Sequence, residues 1–79
     1  MAKVDIKKMR KIDRERYMVQ DEVPATYVVF EKYGKKYFQI DTYGRSDRVE
    51  TEKASQIIQI DETSAKELIK LLIKEFAIL

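Results

Sequence analysis

The sequence predicts an α+β fold in which a four-stranded antiparallel meander is followed by one C-terminal helix packed on one sheet face, in the order β-β-β-β-α. Two patterns support this prediction. Between residues 25 and 60, apolar and aromatic residues alternate with polar ones in short runs, as they do along strands. From residue 61 onward, apolar residues recur at spacings of three and four, which is the period of a helix. The chain has 79 residues, so we expect a single domain over 1–79.

The N-terminal part of the chain is basic, with seven Lys or Arg among its first 16 residues. Residues 1–8 fit a disordered basic arm, because the termini of small domains are commonly unstructured. We expect an edge strand over residues 9–19, where Tyr17, Met18 and Val19 are the best strand formers. A helix remains an alternative for this segment, because its apolar residues follow neither period closely.

Turn residues separate the next three predicted strands. Ala25–Tyr33 is rich in β-branched and aromatic residues and ends at a tight hairpin, in which Gly34 supplies the positive φ that a short turn requires. Lys36–Tyr43 forms the returning strand, and Ser55–Ile60 forms the last one. The charged connection 44–54 between them is near the upper end of the usual loop length.

The C-terminal helix is expected to begin after Asp61, whose carboxylate can accept a hydrogen bond from an N–H of the first turn. It should run to about Phe76, with an apolar stripe formed by Ala65, Leu68, Ile69, Leu72, Ile73 and Phe76. Four further apolar residues extend beyond this stripe: Leu71, Ala77, Ile78 and Leu79. That excess predicts a homodimer that forms through the C-terminal helix.

The strand 36–43 has two different sides, because strand side chains alternate. We expect Phe38 and Ile40 to face the helix together with Val28 and Phe30. The opposite side would then present four tyrosines, with lysines and arginines at its margins and in the next loop. The predicted nucleic-acid-binding residues are Tyr27, Tyr33, Tyr37, Tyr43, Lys32, Lys35, Lys36, Arg45, Arg48 and Lys53. Exposed rings that stack on bases, with cations beside them, are typical of single-strand binding.

Composition argues against an enzyme. The chain has neither histidine nor cysteine, so it lacks the usual general base near neutral pH and a thiolate metal site. Asp41, Glu50 and Glu52 could in principle hold a divalent cation, but a solvated charged loop explains them better, and we predict no metal and no cofactor.

The apolar runs are far shorter than a membrane helix requires, and no signal peptide is visible, so we expect a cytoplasmic protein without a membrane partner.

The charge is uneven along the chain. Residues 1–48 contain twelve Lys/Arg and eight Asp/Glu, whereas residues 49–79 contain four and six. The basic excess therefore lies on the predicted sheet, which weakly favours a polyanionic partner.

The order of elements resembles the positive cofactor 4 family of single-stranded DNA-binding transcriptional cofactors. The strand 36–43 looks like the family's strand that ends in a basic, aromatic stretch. Lys53 and then Ile58-Gln59-Ile60-Asp61 look like its Pro-Gly-Lys turn, Ile-x-Leu-Ser strand and helix cap, although Thr51-Glu52 stands where the family has Pro-Gly. The resemblance covers about residues 26–76. It implies single-stranded DNA binding by the sheet and dimerisation through the helices.

These observations predict a small non-enzymatic module that binds single-stranded DNA or RNA by tyrosine stacking and Lys/Arg phosphate contacts. The alternative is a non-catalytic protein–protein interaction module that uses the aromatic sheet face or its edge.

Overall fold

The computed structural model describes residues 1–44 and 54–79. Within them the chain forms four strands and one α-helix, and a 3-10 turn lies at Ile6–Lys8. This arrangement confirms the predicted α+β class with a sheet and a C-terminal helix. The elements are β1 (Ala2–Lys3), β2 (Ala25–Lys32), β3 (Lys35–Thr42), β4 (Gln56–Asp61) and α1 (Glu62–Phe76).

The sheet is mixed rather than antiparallel throughout. Its strand order is β1-β4-β3-β2, with β1 parallel to β4 and the other neighbours antiparallel. The predicted antiparallel meander is therefore wrong in its first strand, and residues 9–19 form no strand. Instead, the Val4 N–H donates to the Gln59 carbonyl at 2.8 Å and so continues the pairing of β1 with β4. Long-range pairing of this kind leaves no periodic pattern in so short a segment.

The hairpin between β2 and β3 has the predicted tight turn with a positive φ at Gly34, and its loop consists of the two residues Tyr33 and Gly34. Tyr33 and Gly34 have φ of 55° and 75°, the left-handed pair that a type I′ turn requires. Residues across the hairpin pair from Lys32 with Lys35 to Ala25 with Thr42. Because the loop contains two residues, each even-numbered residue of β2 pairs with an odd-numbered residue of β3.

This register corrects the predicted faces of β2. Directly paired residues point to the same side of a sheet, so Phe30 and Val28 share a side with Tyr37, not with Phe38. Tyr27, predicted to lie beside Tyr37, instead stacks on Phe38 with ring centroids 5.2 Å apart. We call the two sides of the sheet the Tyr37 face and the Phe38 face. A shift of one residue moves every side chain of a strand to the opposite face.

The predicted alternation of β3 is confirmed, and β4 pairs with it in the matching register. Gln39 pairs with Gln59 on the Tyr37 face, and Ile40 pairs with Ile58 on the Phe38 face. The Gln59 amide donates to the Gln39 side-chain oxygen at 2.7 Å, and the Gln39 amide donates to Asp41 Oδ1 at 2.7 Å. These bonds pair the polar side chains that cross the centre of the Tyr37 face.

The predicted cap of α1 is also confirmed. Asp61 Oδ1 accepts a hydrogen bond from the Ser64 N–H at 2.9 Å. The helix contacts β3, β4 and the 3-10 turn at Ile6–Lys8.

Burial is low in the part of the chain that the structure describes. Ser64, at 2% exposed, is the one buried residue there, and no hydrophobic side chain is buried. None of the described helices has the length and apolar composition required to cross a bilayer.

The chain exposes more surface than a compact monomer of its size. Its accessible surface is 7601 Å², whereas a folded monomer of this mass exposes about 5,000 Å². The radius of gyration is 14.8 Å, against about 12 Å for a compact chain of this length. Among the described residues, the large apolar side chains Tyr27, Val29, Ile69 and Phe76 are each more than half exposed.

Candidate nucleic-acid interface

A pair of stacked rings forms the centre of the candidate site on the Tyr37 face. Phe30 on β2 and Tyr37 on β3 are direct cross-strand partners, and their ring centroids lie 5.4 Å apart at an interplanar angle of 25°. Aromatic pairs in this offset arrangement stabilise a sheet beyond their buried area. Both side chains are half-buried, so each ring keeps part of its surface open to solvent.

Lysines surround these rings. The Lys3 ammonium lies 5.7 Å from the centroid of the Tyr37 ring, and the Lys32 ammonium lies 5.6 Å from that of Tyr33. Lys35 pairs with Lys32 and therefore lies on the same face. Tyr33 is 88% exposed at the tip of the hairpin. The result is a shallow groove of about 270 Å³, which we call the Tyr37 groove, lined by Lys3, Phe30, Lys32, Tyr33, Tyr37 and Gln59.

One carboxylate lies next to the groove. Asp61 pairs with Tyr37 across β3 and β4. The hydrogen bond from the Ser64 backbone N–H holds the pKa of the Asp61 carboxyl below its usual value, and the charges of Lys3 and Lys35 lower that pKa further. Since three lysines and this one carboxylate lie around the groove, the groove keeps a local excess of positive charge.

The structure brings together some of the predicted site residues and separates others. Tyr33, Tyr37 and Lys32 line the Tyr37 groove, with Lys35 beside it. Tyr43 lies six residues from Tyr37, about 20 Å along the strand, and its hydroxyl is 2.9 Å from the Thr26 hydroxyl. Tyr27 and Lys36 lie on the Phe38 face. Three predicted residues, Arg45, Arg48 and Lys53, lie outside the described residues.

Three groove residues were missed by the sequence reasoning: Lys3, Phe30 and Gln59. The signal for Phe30 was present, because a two-residue hairpin turn pairs even-numbered with odd-numbered positions and so sets Phe30 opposite Tyr37. Gln59 also had a local signal, because alternation along β4 sets its side chain on the side opposite to Ile58 and Ile60. Lys3 carried no local signal, since it reaches the groove through parallel pairing with Gln59.

The shape and chemistry of the groove suit stacking rather than enclosure. Its volume is just below the usual range for small-molecule sites, which is about 300–1,000 Å³. Its described lining offers aromatic surface, ammonium groups and one amide, without a carboxylate. Among the described residues, no group of three or more Asp or Glu side chains could hold a metal ion.

No protein-family model matches the chain, and no curated protein or solved structure is significantly similar to it. The resemblance to positive cofactor 4 therefore stays a prediction.

Proposed function

We propose that this protein is a non-catalytic module that binds single-stranded DNA or RNA on its Tyr37 face. The observation that carries the proposal is the stacked Phe30–Tyr37 pair with lysine ammonium groups at its margins. Rings of this kind accept bases of any sequence, and lysines follow the phosphates. Duplexes are disfavoured, because their bases are already stacked and cannot reach a flat sheet surface.

Binding requires the Lys3 side chain to move from the Tyr37 ring. A cation over an exposed aromatic ring contributes about 0.5–1 kcal/mol, whereas a base stacked on a ring contributes about 1–3 kcal/mol. The exchange is therefore favourable for the base. The displaced ammonium stays within reach of a phosphate, since the lysine side chain is long and flexible.

The proposal is tested by fluorescence anisotropy with labelled single-stranded and double-stranded oligonucleotides at low salt. Tyr37→Ala should weaken single-strand binding at least about fivefold, because it removes one stacking surface. Tyr27→Ala is the matched control: it removes the same side chain from a similar ring pair on the opposite face. Circular dichroism of both variants reports whether the sheet is retained. Equal affinity of the wild-type chain and a folded Tyr37→Ala variant would contradict the proposal.

A homodimer is the second part of the proposal, with its contact on α1 as the sequence predicts. Apolar residues of the helix remain exposed in the single chain: Ile69 and Leu72 are accessible, and Phe76 is 69% exposed. A second copy of the helix would cover them. Sedimentation at micromolar concentration tests this part, and Phe76→Ser should lower the average mass that sedimentation reports, because it removes the helix contact. The alternative function, a protein–protein interaction module, is favoured by the same exposed apolar surface if oligonucleotides do not bind.

A further inference from the structure

β2 is the outer strand of the sheet on one side, and one of its edges has no neighbouring strand among the described residues. The two-residue turn makes Lys32 and Lys35 a hydrogen-bonded pair, so the even-numbered residues of β2 bond inward to β3. At the other end of β2, the Tyr43 N–H donates to the Pro24 carbonyl at 3.0 Å, so the even-numbered residue there also bonds inward. The backbone groups of Ala25, Tyr27, Val29 and Glu31 therefore point outward.

These outward groups form an uninterrupted edge. Each of the four residues carries both an N–H and a carbonyl, and within the described part of the chain none of these groups has a hydrogen-bond partner. Proline often blocks an edge strand, but Pro24 occupies an inward-bonding position and leaves the outer edge intact. An exposed strand of eight residues rich in β-branched and aromatic side chains is a template for pairing with another chain.

We propose that β2 pairs antiparallel with β2 of a second copy of this chain, with the two-fold axis at Val28. In this register Tyr27 pairs with the partner's Val29, and Ala25 pairs with the partner's Glu31. All four outward residues of each strand then form hydrogen-bonded pairs. Each pair exchanges two backbone hydrogen bonds, so eight bonds form. A register centred on Val29 would set Ala25 opposite the partner's turn and leave its groups unpaired.

The side chains are self-complementary in the proposed register. Tyr27 and Val29 are 67% and 52% exposed in the single chain, and aromatic side chains pair well with β-branched ones across strands. On the other face, Val28 meets its own copy. No like charges become opposed, because Glu31 meets alanine and Lys32 meets proline.

The register itself supports a copy of the chain as the occupant. A second β2 offers the same four outward residues in reverse order, so every outward N–H and carbonyl gains a partner. The Tyr27 and Val29 side chains, which are exposed in the single chain, then cover each other. The two-fold axis is perpendicular to the sheet, so the Tyr37 faces of both copies lie on the same side of the continuous sheet that they form. The pairing stands independently of the proposed nucleic-acid function, and it uses a surface separate from the helix contact.

The register is tested by single-cysteine cross-linking, for which the chain is suited because it has no native cysteine. In the Val28→Cys variant the two thiols would occupy a non-hydrogen-bonded pair, with Cα atoms about 4.5 Å apart, which permits a disulfide. Val29→Cys is the matched control. Its two copies would lie about 8 Å apart, beyond the distance that a disulfide spans.

The readout is the rate of disulfide dimer formation in a glutathione buffer, followed on non-reducing gels at micromolar protein. We expect Val28→Cys to cross-link at least tenfold faster than Val29→Cys. Equal rates, or a faster Val29→Cys, would overturn the proposal. Adding Val29→Pro to Val28→Cys should abolish the fast cross-link, because it removes an outward N–H while leaving the bonds to β3. Adding Phe76→Ser instead should leave the fast cross-link unchanged; loss of the cross-link there would contradict a separate β2 contact.

Discussion

The Ser64 hydroxyl joins the start of the helix to the N-terminal segment, because it accepts a hydrogen bond from the Ile6 N–H at 3.1 Å and donates one to the Val4 carbonyl at 3.3 Å. These partners are 58 and 60 residues away along the chain. The residue is buried, so it satisfies two backbone groups in a place from which water is largely excluded.

We expect Ser64→Ala to lower the free energy of unfolding by about 1–3 kcal/mol, because it leaves backbone groups at Val4 and Ile6 without their partner. Urea denaturation measures the change, and hydrogen exchange at the Ile6 amide should become faster. Ser55→Ala is the control, since the Ser55 hydroxyl makes an exposed bond to the Thr42 carbonyl. A similar, small loss for both variants would show that the Ser64 bonds do not hold the N-terminal segment.

The Asp61 cap predicts a pH dependence. Its pKa is lower in the folded chain than its usual value, first through the Ser64 N–H and then through Lys3 and Lys35. Its contribution to stability is therefore fully present above about pH 4, the unfolded value, and is lost as the pH falls through the folded pKa.

Thermal unfolding of the wild type and Asp61→Asn between pH 7 and pH 2.5 isolates this contribution. Asparagine also caps helices but carries no charge, so the wild type should have the higher Tm at pH 7, and the difference should shrink toward acid pH. A difference that does not vary with pH would show that the carboxylate charge is not involved.

Tyr33 has a left-handed backbone, with φ of 55°, which is unfavourable for a bulky residue. Asparagine is preferred at this position of a type I′ turn. We therefore expect Tyr33→Asn to raise the free energy of unfolding by about 0.5–1 kcal/mol while weakening single-strand binding, because the exposed ring is lost. Denaturation and anisotropy titration on the same samples measure both. Binding that stays unchanged in this more stable variant would exclude Tyr33 from the interface.

Two adjacent lysines lie on opposite faces and test the electrostatic part of the proposal. Lys35 pairs with Lys32 on the Tyr37 face, whereas Lys36 pairs with Glu31 on the Phe38 face. Each phosphate contact contributes a slope of about −0.7 to the dependence of log K on log salt for single strands. Lys35→Gln should reduce the magnitude of the slope by about that amount, and Lys36→Gln should leave it unchanged. Equal effects would indicate a diffuse attraction that does not depend on the Tyr37 face.

Local features of the site could be predicted from the sequence. The turn at Tyr33-Gly34, the alternation along β3 and the Asp61 cap each depend on residues within a few positions of one another. The face of β2 was wrong although the information was local, since a two-residue loop pairs positions of opposite parity. That single error separated Phe30 from Tyr37 and placed Tyr27 beside Tyr37 instead.

What the sequence by itself determined is the identity of β2, β3, β4 and α1, because strand alternation, positive φ and helix capping are settled by neighbouring residues. Only the tertiary structure decided the parallel pairing of β1 with β4, the bonds of Ser64 and the position of Lys3 over Tyr37. Those contacts join the two ends of the chain. The free energy of these contacts depends on bringing the two ends of the chain together on a formed sheet. Local sequence patterns do not predict such long-range contacts.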